Sequence, residues 1–278
     1  MTSLPVRRLL VDLTTPFDRR WNGGDAFRSA FFNALSMSFP AGEQFFIDAM
    51  RAGVDALPTG RRAGFAGVVQ GFIGQEATHR RIHALFNAEL ARQGHVNTWE
   101  ARILARRKRL DGADVRHKVA ITAATEHFTA LFAEHLFAHP AMLEGAEPRL
   151  RTLWEWHSAE EAEHRAVAFD LYRALDGDEP WRRRWMRSVT FYFVTDLARQ
   201  TLRNLWRDGA LWRPATWASA ARTLFCRDGL VRGMRAGWRA YFGADFHPSD
   251  LGSDRGARWL TDNHTRFAPV AAQPAPPG

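Results

Sequence analysis

Two stretches of the chain repeat the pattern Glu-x-x-His: Glu76-Ala-Thr-His79 and Glu161-Ala-Glu-His164. At helical pitch, residues i and i+3 share a face, so each pair can aim a carboxylate and an imidazole at one point. Each copy also has a carboxylate upstream. Glu43 precedes Glu76 by 33 residues and Glu126 precedes Glu161 by 35. The halfway points fall within Pro58-Thr59-Gly60 and between Pro140 and Pro148, where turns are expected. Folding each hairpin at its turn brings the lone Glu level with its Glu-x-x-His. Two packed hairpins then gather four carboxylates and two histidines at one level, the ligand formula of di-iron and di-manganese carboxylate bundles. Carboxylates bridge hard divalent ions and neutralise them, while imidazole suits iron, manganese or zinc. A single Glu-x-x-His carries little weight, because helices are rich in Glu; the bland reading is two solvated faces with accidental spacing. The duplication with matched turns outweighs it.

Neighbouring residues extend the set. His157 lies four residues before Glu161 on the same face and is counted as a seventh ligand, the alternative being a histidine behind the ligands or at the surface. His83 follows His79 by four residues and is expected behind the ligands or in the core. Glu160 and Glu163 lack the i,i+3 link to His164; they are expected to meet solvent or arginines, with Glu160 also a candidate to support a ligand. His127 should point away from Glu126, about 100° round the helix. Glu134 is a rival carboxylate two turns on, which the hairpin geometry disfavours.

The elements that must position these residues are helices. Residues 1–24 read as an irregular arm. A short helix is predicted from Asp25 to Met37, and a new one from Pro40 to about Ala56. Others are predicted over 61–93, from the Asn97-x-x-Glu100 cap to about Leu110, over 114–138, from Pro148 to about Leu175, and over 179–208, 214–226 and 228–242. Gly64, Gly67, Gly71 and Gly74 line up along the second core helix, for close approach of a neighbour or for substrate space. The fold class is therefore all-α: an arm at 1–24, a di-metal core at 25–176, Trp/Arg-rich helices packed on it at 177–248, and a poorly ordered tail at 249–278.

Composition sets the outer limits. The chain has 278 residues and a formal net charge of +8, carried almost wholly by arginine, since Lys108 and Lys118 are the only lysines. The lone cysteine, Cys226, rules out an internal disulfide and a thiolate cluster, and fits a reducing, cytoplasmic setting. No secretory leader and no spanning segment is recognisable. Residues 181–241 hold six of the eleven tryptophans and thirteen arginines against three acidic residues. The plainer expectation is that these tryptophans pack on the bundle while arginine heads reach water. Peripheral contact with an anionic membrane is the alternative, and nucleic acid finds no supporting motif.

Longer stretches around the same residues resemble a bacterial family catalogued as predicted metal-dependent hydrolases, within the ferritin-like di-iron superfamily. They are Phe39-Pro-x-Gly42-Glu43, Gln75-Glu76-x-x-His79-x-x-x-His83, Glu126-His127 with Thr129-Ala130, Trp156-His157-x-x-Glu160-Glu161-x-Glu163-His164, and Tyr241-Phe242 with Phe246-His247-Pro248. The resemblance covers roughly residues 15–250 and implies a ferritin-like four-helix core with a two-metal site. The metal motif alone, with its extra histidine at 157, is also similar to that of p-aminobenzoate N-oxygenases, which implies oxygen chemistry but no substrate.

Three functions follow. The first is a non-haem di-iron oxygenase or oxidase acting with O2 on a small organic substrate. Glu43, Glu76, Glu126, Glu161, His79, His164 and His157 would hold two iron ions, or manganese or zinc. An external electron donor is then required, since no flavin or nicotinamide motif is present. The second is a metal-dependent hydrolase. The third is a metal-binding helical protein without catalysis, against which the length beyond a minimal bundle argues. A homodimer is the base-rate expectation.

Overall fold

A computed structural model describes residues 4–270. Among these the chain is all-α apart from one short two-stranded pairing. Two antiparallel hairpins make the core. The first joins α1 (Ala26–Ala56) to α2 (Thr59–Arg92); the second joins α4 (Val115–Ala138) to α5 (Pro148–His164). Between them α3 (Trp99–Lys108) carries the crossover, started by Asn97, whose Oδ1 accepts from the Trp99 and Glu100 amides. After α6 (Val167–Ala174), the helices α7 (Glu179–Arg207), α8 (Pro214–Phe225) and α9 (Leu230–Ala240) cover the α1/α4 side.

Two apolar clusters sandwich the polar level. One gathers Phe32, Phe86, Leu150 and Trp154; the other gathers Phe46, Met50, Phe72, Val119 and Leu171. Charged side chains between two such clusters are cut off from water and must find partners or ions.

The structure departs from the sequence expectations in four places. First, α1 runs unbroken through Pro40. Proline cannot donate to the Ser36 carbonyl four residues back, but the Asn87 side-chain amide does so from α2, at 2.9 Å. Second, the helix expected over 148–175 breaks just after His164; there the Arg165 Nε donates to the Ala162 carbonyl at 2.7 Å. Third, the arm is not free: Arg7–Leu9 (β1) pairs antiparallel with Phe267–Pro269 (β2). Gly71 and Gly74 are close-approach positions for this arm, because a Cβ at either would collide with Leu4 or Val6. Fourth, residues 249–270 are folded. There α10 (Arg255–Asp262) packs on α5, with Gly256 against Ala159 and Ala162. The rest of the expected tail, 271–278, lies outside the described residues.

The tryptophans of the C-terminal layer divide. Trp185 and Trp238 are partly buried and hydrogen-bonded to His117 and Thr190, whereas Trp181, Trp206, Trp212 and Trp217 are exposed. No described helix is long and apolar enough to cross a membrane.

Candidate metal centre

The structure brings Glu43, Glu76, His79, Glu126, His157, Glu161 and His164 together, all buried. Their donor atoms form overlapping groups within 4.8 Å: Glu43 with His79 and His157, Glu76 with His79 and Glu161, and Glu76 with Glu126 and His164. His79 Nδ1 lies 3.9 Å from Glu76 and 3.6 Å from Glu161. His164 Nε2 lies 3.3 Å from Glu76, 3.0 Å from Glu126 and 3.5 Å from Glu161. Glu76 and Glu161 thus reach both histidines. Glu43 and His157 belong to one half, and Glu126 to the other.

The test of whether this set fits metal is its hydrogen bonding. Both oxygens of Glu43, Glu76 and Glu126, Glu161 Oε2, His79 Nδ1 and His164 Nε2 are buried without a hydrogen-bond partner. Buried polar atoms are rarely left so, and here the orphans converge on one point. Four carboxylates and neutral imidazoles match the charge and ligand preference of two divalent ions.

The imidazoles are held from behind. His79 donates from Nε2 to Glu160 at 2.9 Å, which leaves Nδ1 as the free lone pair. Glu160 in turn accepts from Arg7 at 3.0 Å, and Arg7 grips Glu163 with two bonds, at 2.7 and 2.9 Å. His164 donates from Nδ1 to Gln75 Oε1 at 3.0 Å, which frees Nε2; the Gln75 amide donates to Glu163 and to the Pro5 carbonyl. Such partners fix ring orientation and tautomer. His157 Nδ1 meets His83 Nε2 at 2.7 Å, while its Nε2 faces Glu161 at 2.9 Å. His83 continues to Ser36, and Ser36 donates to Asn87. The amide that bridges the Pro40 gap therefore also ends the His157 relay.

Burial and crowding set the charges. Burial first, then Glu161 and Glu126, push the Glu43 carboxyl well above its ordinary range. Glu76 rises likewise, through burial and then Glu126. Glu126 is pushed up to about 7 by burial and Glu161. Burial opposes charge on Glu161 too, but His164 and His157 outweigh it and hold its carboxyl well below the usual value. Burial would also lower His164, yet Glu126 and Glu161 hold it well above. His79 and His83 are pushed well below, by burial and then by His157. Burial raises Glu160 to about 8 against the pull of Arg7. This crowding of carboxylates calls for cations.

A family model described as predicted metal-dependent hydrolase matches residues 5–252. The chain belongs to that family. Neither a curated protein nor a solved structure matches it. The matched stretch takes in the seven clustered residues together with Arg7, and stops short of α10.

Other expectations meet specific outcomes. Glu134 lies outside the cluster, bound to Arg165 and Ser253. His127 points away, to the Gly237 carbonyl. Glu160 and Glu163 do meet an arginine, but Glu160 meets it deep in the core. Sequence reasoning missed Arg7 and Asn87, and quoted Gln75 within a motif without giving it a role. Gln75 stands beside Glu76, and its role as the partner of His164 Nδ1 shows only in the fold. Arg7 lies 153 residues from Glu160 and carried no signal.

Proposed function

We propose that this chain is a two-metal enzyme that oxidises a small, largely apolar organic substrate with O2 and an external electron donor. The observation that carries this reading is the donor set: two Glu-x-x-His helices and two single glutamates, converging with unpartnered lone pairs in a dry helical core. That arrangement is the one used by di-iron and di-manganese carboxylate bundles. When bound, such ions would supply electrons to O2 or, as Lewis acids, acidify water. The protein's own residues do the rest. Glu76 and Glu161 span both halves, His79 and His164 are locked in one tautomer, and the two apolar clusters exclude bulk water.

Metal-dependent hydrolysis is the second reading. The family's description speaks for it directly, whereas the donor geometry speaks for the first. One experiment separates them. The chain is loaded anaerobically with Fe(II), its metal content is measured, and it is mixed rapidly with O2 while visible absorbance is followed. About two irons per chain and a transient visible band are expected. Preference for zinc or manganese, inertness to O2 and turnover of simple esters would replace the oxidase by the hydrolase.

A further inference from the structure

A cavity of about 290 Å³ lies between α1, α3, α4 and α7. Phe39 and Gly42 on α1 and Thr125 and Thr129 on α4 line it, and these residues flank Glu43 and Glu126. The wall beside the cluster is apolar in effect. Thr125 and Thr129 spend their hydroxyls on the Ile121 and Glu126 carbonyls, and Trp185 gives its N–H to His117. Gly42 has open space where a side chain would stand.

The opposite end is strongly basic. Arg106, Arg107 and Arg109 of the α3 end line it. Asp196, fully buried, is shared by Arg102 at 2.6 Å, Arg106 at 2.5 Å and Arg199 at 3.4 Å. Arg107 takes Asp48, and Arg109 forms no ion pair among the described residues. Five guanidiniums thus face two carboxylates. Asn97 bonds the Met37 carbonyl and Arg107 bonds Asp48, so α3 runs parallel to α1. The arginines therefore sit about five residues past Glu43, roughly 7–8 Å along the helix axis.

We propose that this cavity binds an amphipathic organic carboxylate, its apolar body along α1 and α4 and its anion at the α3 arginines. Guanidinium groups suit a carboxylate, and the spacing leaves room for several carbons or one aromatic ring between anion and reacting atom. The proposal rests on reading the seven-residue cluster as the reacting centre.

Tryptophan fluorescence, through Trp99 and Trp185 in the cavity wall, tests it on the full chain with and without metal. Octanoate should bind at least about tenfold tighter than octanol, and octylammonium more weakly than either. The double variant Arg106→Gln/Arg109→Gln should erase the preference for octanoate and keep octanol binding; Arg102 and Arg199 remain on Asp196. Gly42→Leu should remove both ligands with helix content unchanged. Equal binding of octanoate and octanol, a preference that survives the arginine variant, or binding that survives Gly42→Leu overturns the proposal. The metal-free arm excludes a carboxylate that merely ligates metal. A chain that binds octanoate but takes up no metal would sink the proposed reaction and leave the cavity assignment standing.

A different observation carries a second proposal. Helices α7, α8 and α9 all pack on the α1/α4 side, and α8 also packs on α9. There Phe191, Leu202, Trp206, Trp217 and Phe225 are exposed, and Trp212 is 87% exposed. Phe191, Leu202 and Trp206 follow one stripe of α7. The exposed Arg207, Arg213, Arg222 and Arg227 interleave with them, and a second copy of this chain would set arginine against arginine. We infer that this face docks on an anionic bilayer, where tryptophan favours the interface and arginine the headgroups. The full chain should sediment with phosphatidylcholine vesicles only when they contain phosphatidylglycerol. High salt, or Trp212→Ser with Phe225→Ser, should release it. Failure to sediment with the anionic vesicles overturns the inference. So does a concentration-dependent dimer broken by the same variant, which would make the face an interface between copies.

Discussion

The two halves of the candidate centre descend from the same four-letter pattern yet are built differently. On one side, His79 is joined by Glu43 and His157, and its outer nitrogen rests on a carboxylate, Glu160, itself gripped by Arg7. On the other, His164 is joined by Glu126 and rests on a neutral amide, Gln75. His157 stacks on His79 at 4.2 Å, whereas the ring beside His164 is the apolar Phe72, at 4.9 Å. As Glu160 ionises, around pH 8, it makes His79 a stronger donor than the Gln75 amide makes His164. Repetition of a motif therefore does not repeat its environment, and two ions held here would differ in charge and affinity.

The shared carboxylates offer the largest effect. Glu76→Ala or Glu161→Ala should abolish binding of at least one ion while far-ultraviolet circular dichroism stays the same. Full metal content in both variants would remove the basis for the comparison. Next come the residues that belong to one half only. His157→Ala should weaken the Glu43/His79 half alone and His164→Ala the other, so that each variant titrates with one tight ion; two tight ions in His157→Ala would make that residue a bystander.

Proton competition should be visible without mutation. Glu43, Glu76 and Glu126 have raised carboxyl pKa values, Glu126 at about 7. A carboxyl raised in the folded state stabilises the metal-free chain fully below its ordinary pKa, and that contribution is lost as pH rises through about 7. Metal affinity moves the opposite way, because the ligand must be deprotonated. Thermal unfolding of the metal-free chain should thus fall in temperature from about pH 5 to 7, while the stabilisation by added metal grows. A stabilisation by metal that does not change with pH would contradict the crowded-carboxylate picture.

Smaller effects sharpen the asymmetry. Glu160→Gln should weaken metal at the His79 half by about 10- to 100-fold, and Gln75→Glu should bring the two halves closer together. Equal effects of Glu160→Gln on both halves would mean that the support is shared through Glu163. Smallest of all, Asn87→Ala leaves the Ser36 carbonyl without its donor beside Pro40 and should cost about 1 kcal/mol of stability, read by chemical unfolding.

Most of the helical framework was legible, because 3.6-residue periodicity, caps and turn residues are local signals. The predicted start at Pro40 failed for a tertiary reason: a side chain from another helix supplies the donor that local rules say is missing. At the break after His164, Arg165 reaches Glu134 and the Leu251 carbonyl, and within 249–270 helix α10 packs on α5, so both features rest on segments distant in the chain. His157 was placed on the right face, but its relay through His83 to Ser36 joins three helices and has no linear signature.

The sequence by itself determined the type and periodicity of the chemistry: paired Glu-x-x-His, two further glutamates at hairpin distance, and helices to carry them. These follow from bond geometry within single helices and from turn positions. Only the tertiary structure decided how the two halves differ, which glycines admit the arm, and that Arg7 reaches Glu160. It also decided that a cavity with a basic end is lined by Gly42 and Thr125, the neighbours of Glu43 and Glu126 in the chain. Those features depend on side chains far apart in the chain meeting where water is excluded, which no local pattern records.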